Sequence, residues 1–382
     1  MKEVEIHDEQ VELLQAGYRP WWDVCEGRLI SAATVYLPQG CPDWGERNGI
    51  RNQLCTFCSI PLAVSQYRNA FYDGKIIPQE HHVELFRRAL QDTVEGGSGQ
   101  MPIHTLFIFN GGSFLSQEAN HRDTQRAIME MVTEYPSIRR VVIESRAEIV
   151  THHGVEELLK VLAPHDIALT VRIGIETQND VLRQSILRKG HKRPHVVDAV
   201  SILKQLDVTV GGYVLLKPAP KDGLLKAMGR SEASDEEIDL WCIDEAVKTF
   251  DWLLMEESGG LGMHEAYFCS TNVGPGSVLE MHWRAHAFQP ANLWMVYEAL
   301  RRGVEKYGPK VHLLPFEEEP EFLAIPSAVE PQGISQNLSQ AHDLDQRFHG
   351  MLKRYMQSSD ADLLEAPDDP NRPEWYKSIC AR

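Results

Sequence analysis

The chain has 382 residues, of which 43% are hydrophobic and 24% are charged, a composition typical of a folded globular protein. Its 38 basic and 55 acidic side chains give a formal net charge of −17 at pH 7. This balance argues against a broad polyanion-binding surface, because nucleic-acid affinity rests largely on Lys and Arg. No apolar run reaches the ~18 residues that a membrane span needs. The charged opening MKEVEIHDEQ is unlike a signal peptide, so we expect a cytoplasmic protein with reduced cysteines.

Short β-rich runs alternate with longer amphipathic runs over most of the chain, a pattern typical of parallel βαβ architecture. The predicted strands cover residues 28–37, 103–109, 139–144, 167–175, 208–216 and 264–270. The predicted helices lie near residues 79–94, 121–135, 154–163, 194–206, 234–257 and 290–306. Several strands have nearly continuous apolar cores, as expected when both faces are buried. These features predict an α/β fold.

The ends of the chain depart from this alternation. Residues 28–306 form the predicted α/β domain, and residues 1–27 are a predicted N-terminal extension. Residues 307–382 are acidic and Pro-rich with one helical stretch near 336–356, and we predict a C-terminal extension there. Within the domain, Ser234 and the three acidic residues after it predict a helix cap, because they place an acceptor and negative charge at the positive helix end.

Three of the seven cysteines lie close together, directly after the first predicted strand. Cys41, Cys55 and Cys58 fall within eighteen residues, and three thiolates suit a soft transition metal. A structural zinc normally takes four protein ligands, whereas a [4Fe–4S] cluster on three cysteines leaves one iron open. The alternative is a zinc site completed by a distant histidine, since no histidine occurs between His7 and His81. A purely packing role suits this polar, glycine-bearing loop poorly.

Polar and glycine-rich motifs follow the next two predicted strands, where active-site loops of parallel barrels converge. Gly111, Gly112 and Ser113 follow the second strand, and the two glycines indicate either close approach of a ligand or a tight turn. Glu144 and Arg146 follow the third strand. They could bind the polar groups of a ligand or form an ion pair at the rim.

The later strands carry charged residues in patterned positions. Arg172 and Glu176 share one face of the fourth strand and need partners or a ligand there. Tyr213 and Lys217 at the fifth strand, and Asn272 after the sixth, are candidate substrate contacts, with a rim ion pair as the alternative for Lys217. A basic run could be a solvated helix end or a phosphate-binding patch. It comprises Arg183, Arg188, Lys189, Lys192 and Arg193.

The order of these motifs resembles the radical S-adenosylmethionine (SAM) enzymes. Cys55-Thr-Phe-Cys58 matches their common form, while the thirteen-residue gap after Cys41 is longer than the usual three. Longer gaps occur in the branch related to the Elongator catalytic subunit. The segments IGIETQNDVLRQSILRKG, GGYVLLKP and STNVGPGSVLEMHW resemble archaeosine-forming members of that branch. The resemblance covers roughly residues 28–300.

The resemblance implies a partial (β/α)6 TIM-like barrel with a [4Fe–4S] cluster on Cys41, Cys55 and Cys58. It implies that SAM binds the open iron and is cleaved to a radical that abstracts a substrate hydrogen. The implied SAM contacts are Gly111, Gly112, Ser113, Glu144, Arg146 and Glu176. The substrate implied is a lysine-bearing deazaguanine in transfer RNA, whose C–N bond is cleaved. A partner protein that presents this substrate and an external one-electron reductant are also implied.

Two other functions remain open at this stage. A related radical SAM enzyme could act on a small molecule or a peptide, which the acidic net charge favours. The other is a zinc-stabilised, non-catalytic interaction protein, in which the cysteines form a structural knob. The strand-end motifs disfavour it, because a structural metal site does not need them.

Overall fold

The computed structural model describes residues 6–41, 45–47, 50–52, 55–95, 101–257, 259–316, 321–370 and 372–380. Parts of the loop between Cys41 and Cys55, and residues 317–320 of the predicted C-terminal extension, therefore lie outside the described residues. None of the helices in these ranges combines the length and apolar composition that crossing a bilayer requires.

The described part of the chain forms one eight-stranded sheet and one short hairpin. The strands are β1 (Gln15–Asp23), β2 (Arg28–Tyr36), β3 (Gly45–Arg47), β4 (Ile50–Asn52), β5 (Thr105–Phe109), β6 (Arg140–Ser145), β7 (Ala168–Glu176), β8 (Thr209–Leu216), β9 (Glu265–Ser270) and β10 (Val311–Leu313). The large sheet has the order β1-β2-β5-β6-β7-β8-β9-β10, and β3 pairs with β4. Strands β2, β5, β6 and β7 pair in parallel, as do β9 and β10, whereas β1 is antiparallel to β2.

Helices follow most of the parallel strands. They are α1 (Asp8–Glu12), α2 (Ile60–Tyr72), α3 (Gln79–Glu95), α4 (Arg122–Val132), α5 (His152–Leu162), α6 (Arg193–Gln205), α7 (Lys221–Met228), α8 (Asp235–Leu254), α9 (Val278–Arg284), α10 (Leu293–Tyr307), α11 (Asp343–Ser358) and α12 (Glu374–Cys380). The predicted α/β fold, with strands and helices alternating as in a partial (β/α)6 barrel, is confirmed by this order.

The ends of the helices follow the capping chemistry of the sequence. The predicted cap at Ser234 is present, since its Oγ accepts a hydrogen bond from the Glu237 amide over 3.2 Å. The Ser234 amide in turn donates a hydrogen bond to the Glu237 carboxylate over 2.8 Å, which completes a capping box. Asn292 caps α10 in a similar way, through the amide of Trp294.

Two strands of the large sheet were not predicted. Strand β1 contains Pro20, which has no N–H to donate, and β1 takes an end of the sheet order where proline is tolerated. Strand β10 is only three residues long, too short for an alternating pattern to be recognised. Both lie in the regions predicted as extensions, so those regions contribute strands to the sheet. The boundaries 1–27, 28–306 and 307–382 themselves stay predictions.

The chain divides into two compact units by its internal contacts. The first contains residues 1–53, 60–174 and 193–211, and the second contains residues 54–59, 175–192 and 212–382. Cys41 therefore belongs to the first unit, and Cys55 and Cys58 belong to the second. The site residues are described below within the unit that contains them.

Candidate active site

In the first unit, three buried amide side chains join the loop after β2 to the loop after β5. Gln39 donates from Nε2 to Asn120 Oδ1 over 3.1 Å, and Asn110 donates from Nδ2 to Gln39 Oε1 over 3.1 Å. The Gly40 amide also donates to the Asn110 carbonyl over 2.9 Å. Because buried amides are costly unless they are hydrogen-bonded, this network fixes the backbone that leads into Cys41. Gln39 and Asn120 were not predicted as part of the site, since a single amide side chain in a loop gives no signal of burial in the sequence.

The glycine pair after β5 lies directly against this backbone. A Cβ atom on Gly112 would lie 2.7 Å from Cys41 Cα and 2.8 Å from the Gly40 carbonyl oxygen. Gly111 has a φ of +69°, and a Cβ there would lie 2.8 Å from Ile60 Cγ2. The glycines are therefore required by the close approach of two backbones as well as by the turn.

The predicted residues after β5 and β6 are joined to each other. Ser113 is fully buried, and its Oγ accepts a hydrogen bond from the Arg146 amide over 2.8 Å. The Phe114 amide donates to the Glu144 carbonyl over 2.9 Å. Arg146 donates from Nε to the carboxylate of Glu148 over 2.6 Å. The first unit thus joins the loops that carry Ser113, Glu144 and Arg146, and it places the glycine pair that precedes Ser113 against the backbone of Cys41.

Arg172 on β7 packs against aromatic rings inside the first unit. Its guanidinium carbon lies 4.6 Å from the ring centroid of Phe107 and 5.1 Å from that of Trp21. The side chain is 1% exposed, so the cation–π attraction acts in a desolvated environment where it is strongest. Arg172 therefore belongs to the packed interior of the first unit.

In the second unit, the Cys55–Cys58 turn is held by hydrogen bonds on both sides. The Thr56 amide donates to the Leu187 carbonyl over 3.2 Å, and the Thr56 carbonyl accepts from the Leu279 amide over 3.1 Å. Inside the turn, the Cys58 amide donates to the Cys55 carbonyl over 3.2 Å. These bonds fix the backbone between the two cysteines.

Phe57 of this turn packs on an apolar cluster of the second unit. The cluster consists of Val273, Leu279, Phe288 and Ala324, with Trp283 and Leu323 beside it. Ser59, the next residue after the turn, lies close to Gly274. A Cβ atom added to Gly274 would lie 2.5 Å from Ser59 Cβ. The aromatic residue of the cysteine motif thus anchors the turn, and the glycine in the loop after β9 makes room for it.

The carboxylate of Glu176 at the end of β7 binds Lys189. Lys189 Nζ lies 2.8 Å from Glu176 Oε1, and the two side chains are 9% and 6% exposed. Lys189 was grouped by sequence with a basic run open to solvent or phosphate. Because Lys189 and Arg183 are buried, only part of that run can reach a phosphate.

The predicted substrate contacts lie in the second unit and have local partners. Lys217 Nζ lies 2.9 Å from Asp239 Oδ1, which is the ion pair considered as its alternative role. Tyr213 is half-buried, with its ring centroid 5.6 Å from that of Tyr267. Asn272 Oδ1 accepts a hydrogen bond from Ser270 over 3.0 Å.

The cysteines differ in the surroundings of their thiols. Cys41, Cys55 and Cys58 are each half-buried, Cys25 is exposed and Cys242 is buried. Burial raises the pKa of the Cys242 thiol, which disfavours the thiolate that a metal requires. The residue types and burial of the three clustered cysteines therefore fit a thiolate-bound metal group.

A second group of metal-binding side chains lies in the first unit, but protein cations already engage it. Ligand atoms of Asp23, Glu26 and His104 lie within 4.8 Å of one another. Asp23 accepts from Arg140 Nε over 2.8 Å, and Glu26 lies 2.5 Å from Arg28. Glu26 also lies 2.8 Å from His104 Nε2. These contacts neutralise the carboxylates without a metal ion.

The radical SAM resemblance predicts a class of protein with an α/β fold and a cysteine loop directly after the first parallel strand. This chain has both features. No family model matches the chain. It is 27% identical over 282 residues to archaeosine synthase subunit beta of Thermococcus kodakarensis, covering 73% of this chain and 74% of that protein. It is 26% identical over 284 residues to the same-named subunit of Methanosarcina acetivorans, covering 73% and 69%.

An uncharacterised protein of Methanocaldococcus jannaschii is also similar, with 26% identity over 263 residues. That match spans 68% of this chain but only 62% of the relative's length. Together the sequence relatives confirm the predicted resemblance to archaeosine-forming proteins.

Two solved structures resemble the chain more distantly. One is Elp3 of Methanocaldococcus infernus, with a TM-score of 0.47, 13% identity, and coverage of 72% of this chain and 58% of that one. The other is SuiB of Streptococcus suis bound to S-adenosylmethionine, with a TM-score of 0.40, 10% identity, and coverage of 74% and 49%. Both TM-scores are below 0.5, so the comparison with archaeosine synthase subunit beta rests on the sequence relatives alone.

Proposed function

We propose that the chain is a radical SAM enzyme whose [4Fe–4S] cluster is held by Cys41, Cys55 and Cys58. The observation that carries this proposal is the contact between the Gly111-Gly112 backbone and the backbone at Cys41. A structural zinc knob needs no glycine pair at the end of the neighbouring strand. A site that binds a ligand beside the first cysteine does need one, because glycine exposes backbone groups that a side chain would cover.

Six residues of the chain would hold SAM. Gly111, Gly112 and Ser113 offer backbone groups beside Cys41, and Glu144, Arg146 and Glu176 offer charged groups at strand ends. When bound, the cluster supplies the electron that cleaves SAM and yields a radical able to abstract a substrate hydrogen. The protein's own contribution is to fix the positions of the reacting atoms and to exclude water. The loops after β5 and β6 suit that task, because buried side chains such as Ser113 and Asn120 form hydrogen bonds with their backbone groups.

For the substrate, we propose a lysine-bearing deazaguanine in transfer RNA, following the name of the two archaeal relatives. The radical step would break a C–N bond of the modified base. Tyr213, Lys217 and Asn272 are the proposed substrate contacts. Because the relatives are named as a subunit, we propose a partner protein that presents the RNA, together with an external one-electron reductant.

A small-molecule or peptide substrate is a second candidate, favoured by the ion pairing of the basic side chains. Arg301 lies 3.0 Å from both Glu298 and Glu305. Arg302 lies 2.6 Å from Glu298 and 2.9 Å from Asp244. Cations that are already paired in this way contribute less to binding a phosphate backbone.

Cluster assembly by cysteine variants tests the proposed ligands. We expect Cys41→Ala, Cys55→Ala and Cys58→Ala each to lose most of the iron and the visible absorption after anaerobic reconstitution. Cys25→Ala, at an exposed position, is the matched control and should keep both. Iron retained in all three variants would refute this ligand set.

A further inference from the structure

Lys189 differs from the cations near it in sequence because its ammonium group is buried. Arg188 and Lys192 are exposed, whereas Lys189 is not. Its Nζ binds Glu176 over 2.8 Å and lies 5.8 Å from the ring centroid of Phe57. The desolvation cost of a buried ion pair can exceed the energy of its attraction. Stability alone is therefore a weak explanation for the position of Lys189.

The segment that carries Lys189 also binds the cysteine turn through its backbone. Residues Val181–Ile186 form a π-helix, and the Leu187 amide donates to the Leu182 carbonyl over 2.8 Å. The carbonyls of Ile186 and Leu187 accept from the Thr56 hydroxyl over 3.4 Å and from the Thr56 amide over 3.2 Å. Single-turn π-helices are rare and frequently occur at functional sites.

Two strained residues accompany the ion pair. Glu176 has a φ of +70° and Arg188 a φ of +57°, in the left-handed region that non-glycine residues seldom adopt. Such strain persists only where the surroundings enforce it. The end of β7 and the end of the π-helix are thus both held in unusual conformations, and the Glu176–Lys189 pair connects them.

We infer that Lys189 is a positioning residue that fixes the Cys55–Cys58 turn and the Glu176 carboxylate with respect to each other. Its ammonium group binds one oxygen of Glu176, and its own segment binds Thr56. The inference rests on the proposed function in one respect, namely that the turn and Glu176 serve the cluster and SAM. The connection between Glu176 and the Cys55–Cys58 turn lies within the second unit. It can be measured in the absence of the cluster and of SAM.

Hydrogen–deuterium exchange on the metal-free full-length protein tests that link. In Lys189→Met, we expect the amides of residues 55–58 to exchange about tenfold faster than in the wild type, because loss of the ammonium group leaves Glu176 buried and unpaired. Lys192→Met removes the same charge from an exposed position and should leave this exchange unchanged. Lys189→Arg, which keeps the charge, should restore most of the protection.

The double variant Glu176→Gln/Lys189→Met covers the case in which the single variant fails to fold. It removes both charges, so no unpaired charge is left buried, yet the link to the turn is absent. We expect the double variant to fold and still to exchange rapidly at residues 55–58. Wild-type protection of the turn in both the double variant and a folded Lys189→Met protein would overturn the inference.

A second measurement connects the link to the proposed cofactor. In reconstituted protein, Lys189→Met should weaken SAM binding by about tenfold and alter the electron paramagnetic resonance signal of the reduced cluster, whereas Lys192→Met should change neither. If the wild type forms no cluster, the proposed function fails while the exchange experiment still decides the link. If the wild type forms a cluster and Lys189→Met behaves like Lys192→Met, the positioning role of Lys189 is wrong while the proposed function stands.

Discussion

Gly112 is the residue at which the packing of the candidate site allows least change. A single methyl group there would lie 2.7 Å from Cys41 Cα, and backbone atoms cannot move aside as a flexible side chain can. From the sequence, the glycine pair indicates either a tight turn or close approach of a ligand. The structure shows a positive φ at Gly111, which suits a turn, and close approach of the Cys41 backbone at Gly112.

We predict that Gly112→Ala lowers the free energy of unfolding by about 1–3 kcal/mol, the usual range for overpacking, and reduces iron incorporation. Urea unfolding and iron analysis after reconstitution measure the two effects. Gly17→Ala is the control, since no atom lies within 4 Å of a Cβ at that position. An unchanged iron content in a folded Gly112→Ala protein would show that the contact between Gly112 and Cys41 is not needed for cluster assembly.

The candidate site residues have clearer signals in the sequence than their partners have. The cysteine triplet and the glycine pair carry local signals, because their chemistry depends on spacing and residue type. The partners of Glu176 and Lys217 have no such local signal, because Lys189 and Asp239 lie at other positions in the chain. Lys189 was assigned to a basic run because charge spacing alone cannot distinguish a buried ammonium group from a solvated one.

At the scale of elements, helix α8 depends on its N-terminal cap. Replacing Ser234 by alanine removes the acceptor for the Glu237 amide, and we expect a loss of about 1 kcal/mol in the free energy of unfolding. Urea denaturation measures this change. Ser231→Ala, at an exposed position just before the helix, should have no comparable effect. Equal stabilities for the two variants would show that the cap contributes nothing.

Helix α3 contains a histidine that makes stability depend on pH. Burial, and then the positive charge of Arg68, lower the pKa of His82 from its usual value of 6.5 to about 3. The unfolded chain therefore binds a proton between these values while the folded protein does not. His82 contributes its stability fully above pH 6.5, and this is lost as the pH falls toward 3, by up to ~1.4 kcal/mol per pH unit.

The variant His82→Gln should therefore lose less stability than the wild type between pH 7 and pH 5. Urea denaturation at the two pH values provides the comparison. His165→Gln, at an exposed position, should keep the wild-type pH dependence. If the stability of His82→Gln falls as steeply between pH 7 and pH 5 as that of the wild type, His82 is not the buried, neutral histidine that we describe.

The long elements could be predicted from periodicity, and the short ones could not. All six predicted strands are present, because each has an apolar core bounded by polar or glycine-rich residues. The β3–β4 hairpin consists of two three-residue strands, which are too short to show alternation. Helix α2, which follows the cysteines directly, was also not predicted.

At the scale of the whole molecule, the net charge of −17 limits how RNA can be bound. If RNA is the substrate, affinity must come from a few exposed cations and from a partner protein. We predict that Arg188→Gln combined with Lys192→Gln weakens binding of transfer RNA and reduces its dependence on salt by about two counterions. Binding titrations at several ionic strengths measure both quantities. Unchanged affinity and slope would favour the small-molecule or peptide alternative.

Above all, we propose that the three clustered cysteines hold an iron–sulfur cluster that cleaves SAM. The most direct measurement is 5′-deoxyadenosine formation by the anaerobically reconstituted protein with SAM and dithionite. We predict iron–sulfur absorption and 5′-deoxyadenosine in the wild type, with loss of both in Cys55→Ala. Stoichiometric zinc, no iron–sulfur absorption and no cleavage of SAM would contradict it and favour a structural zinc site.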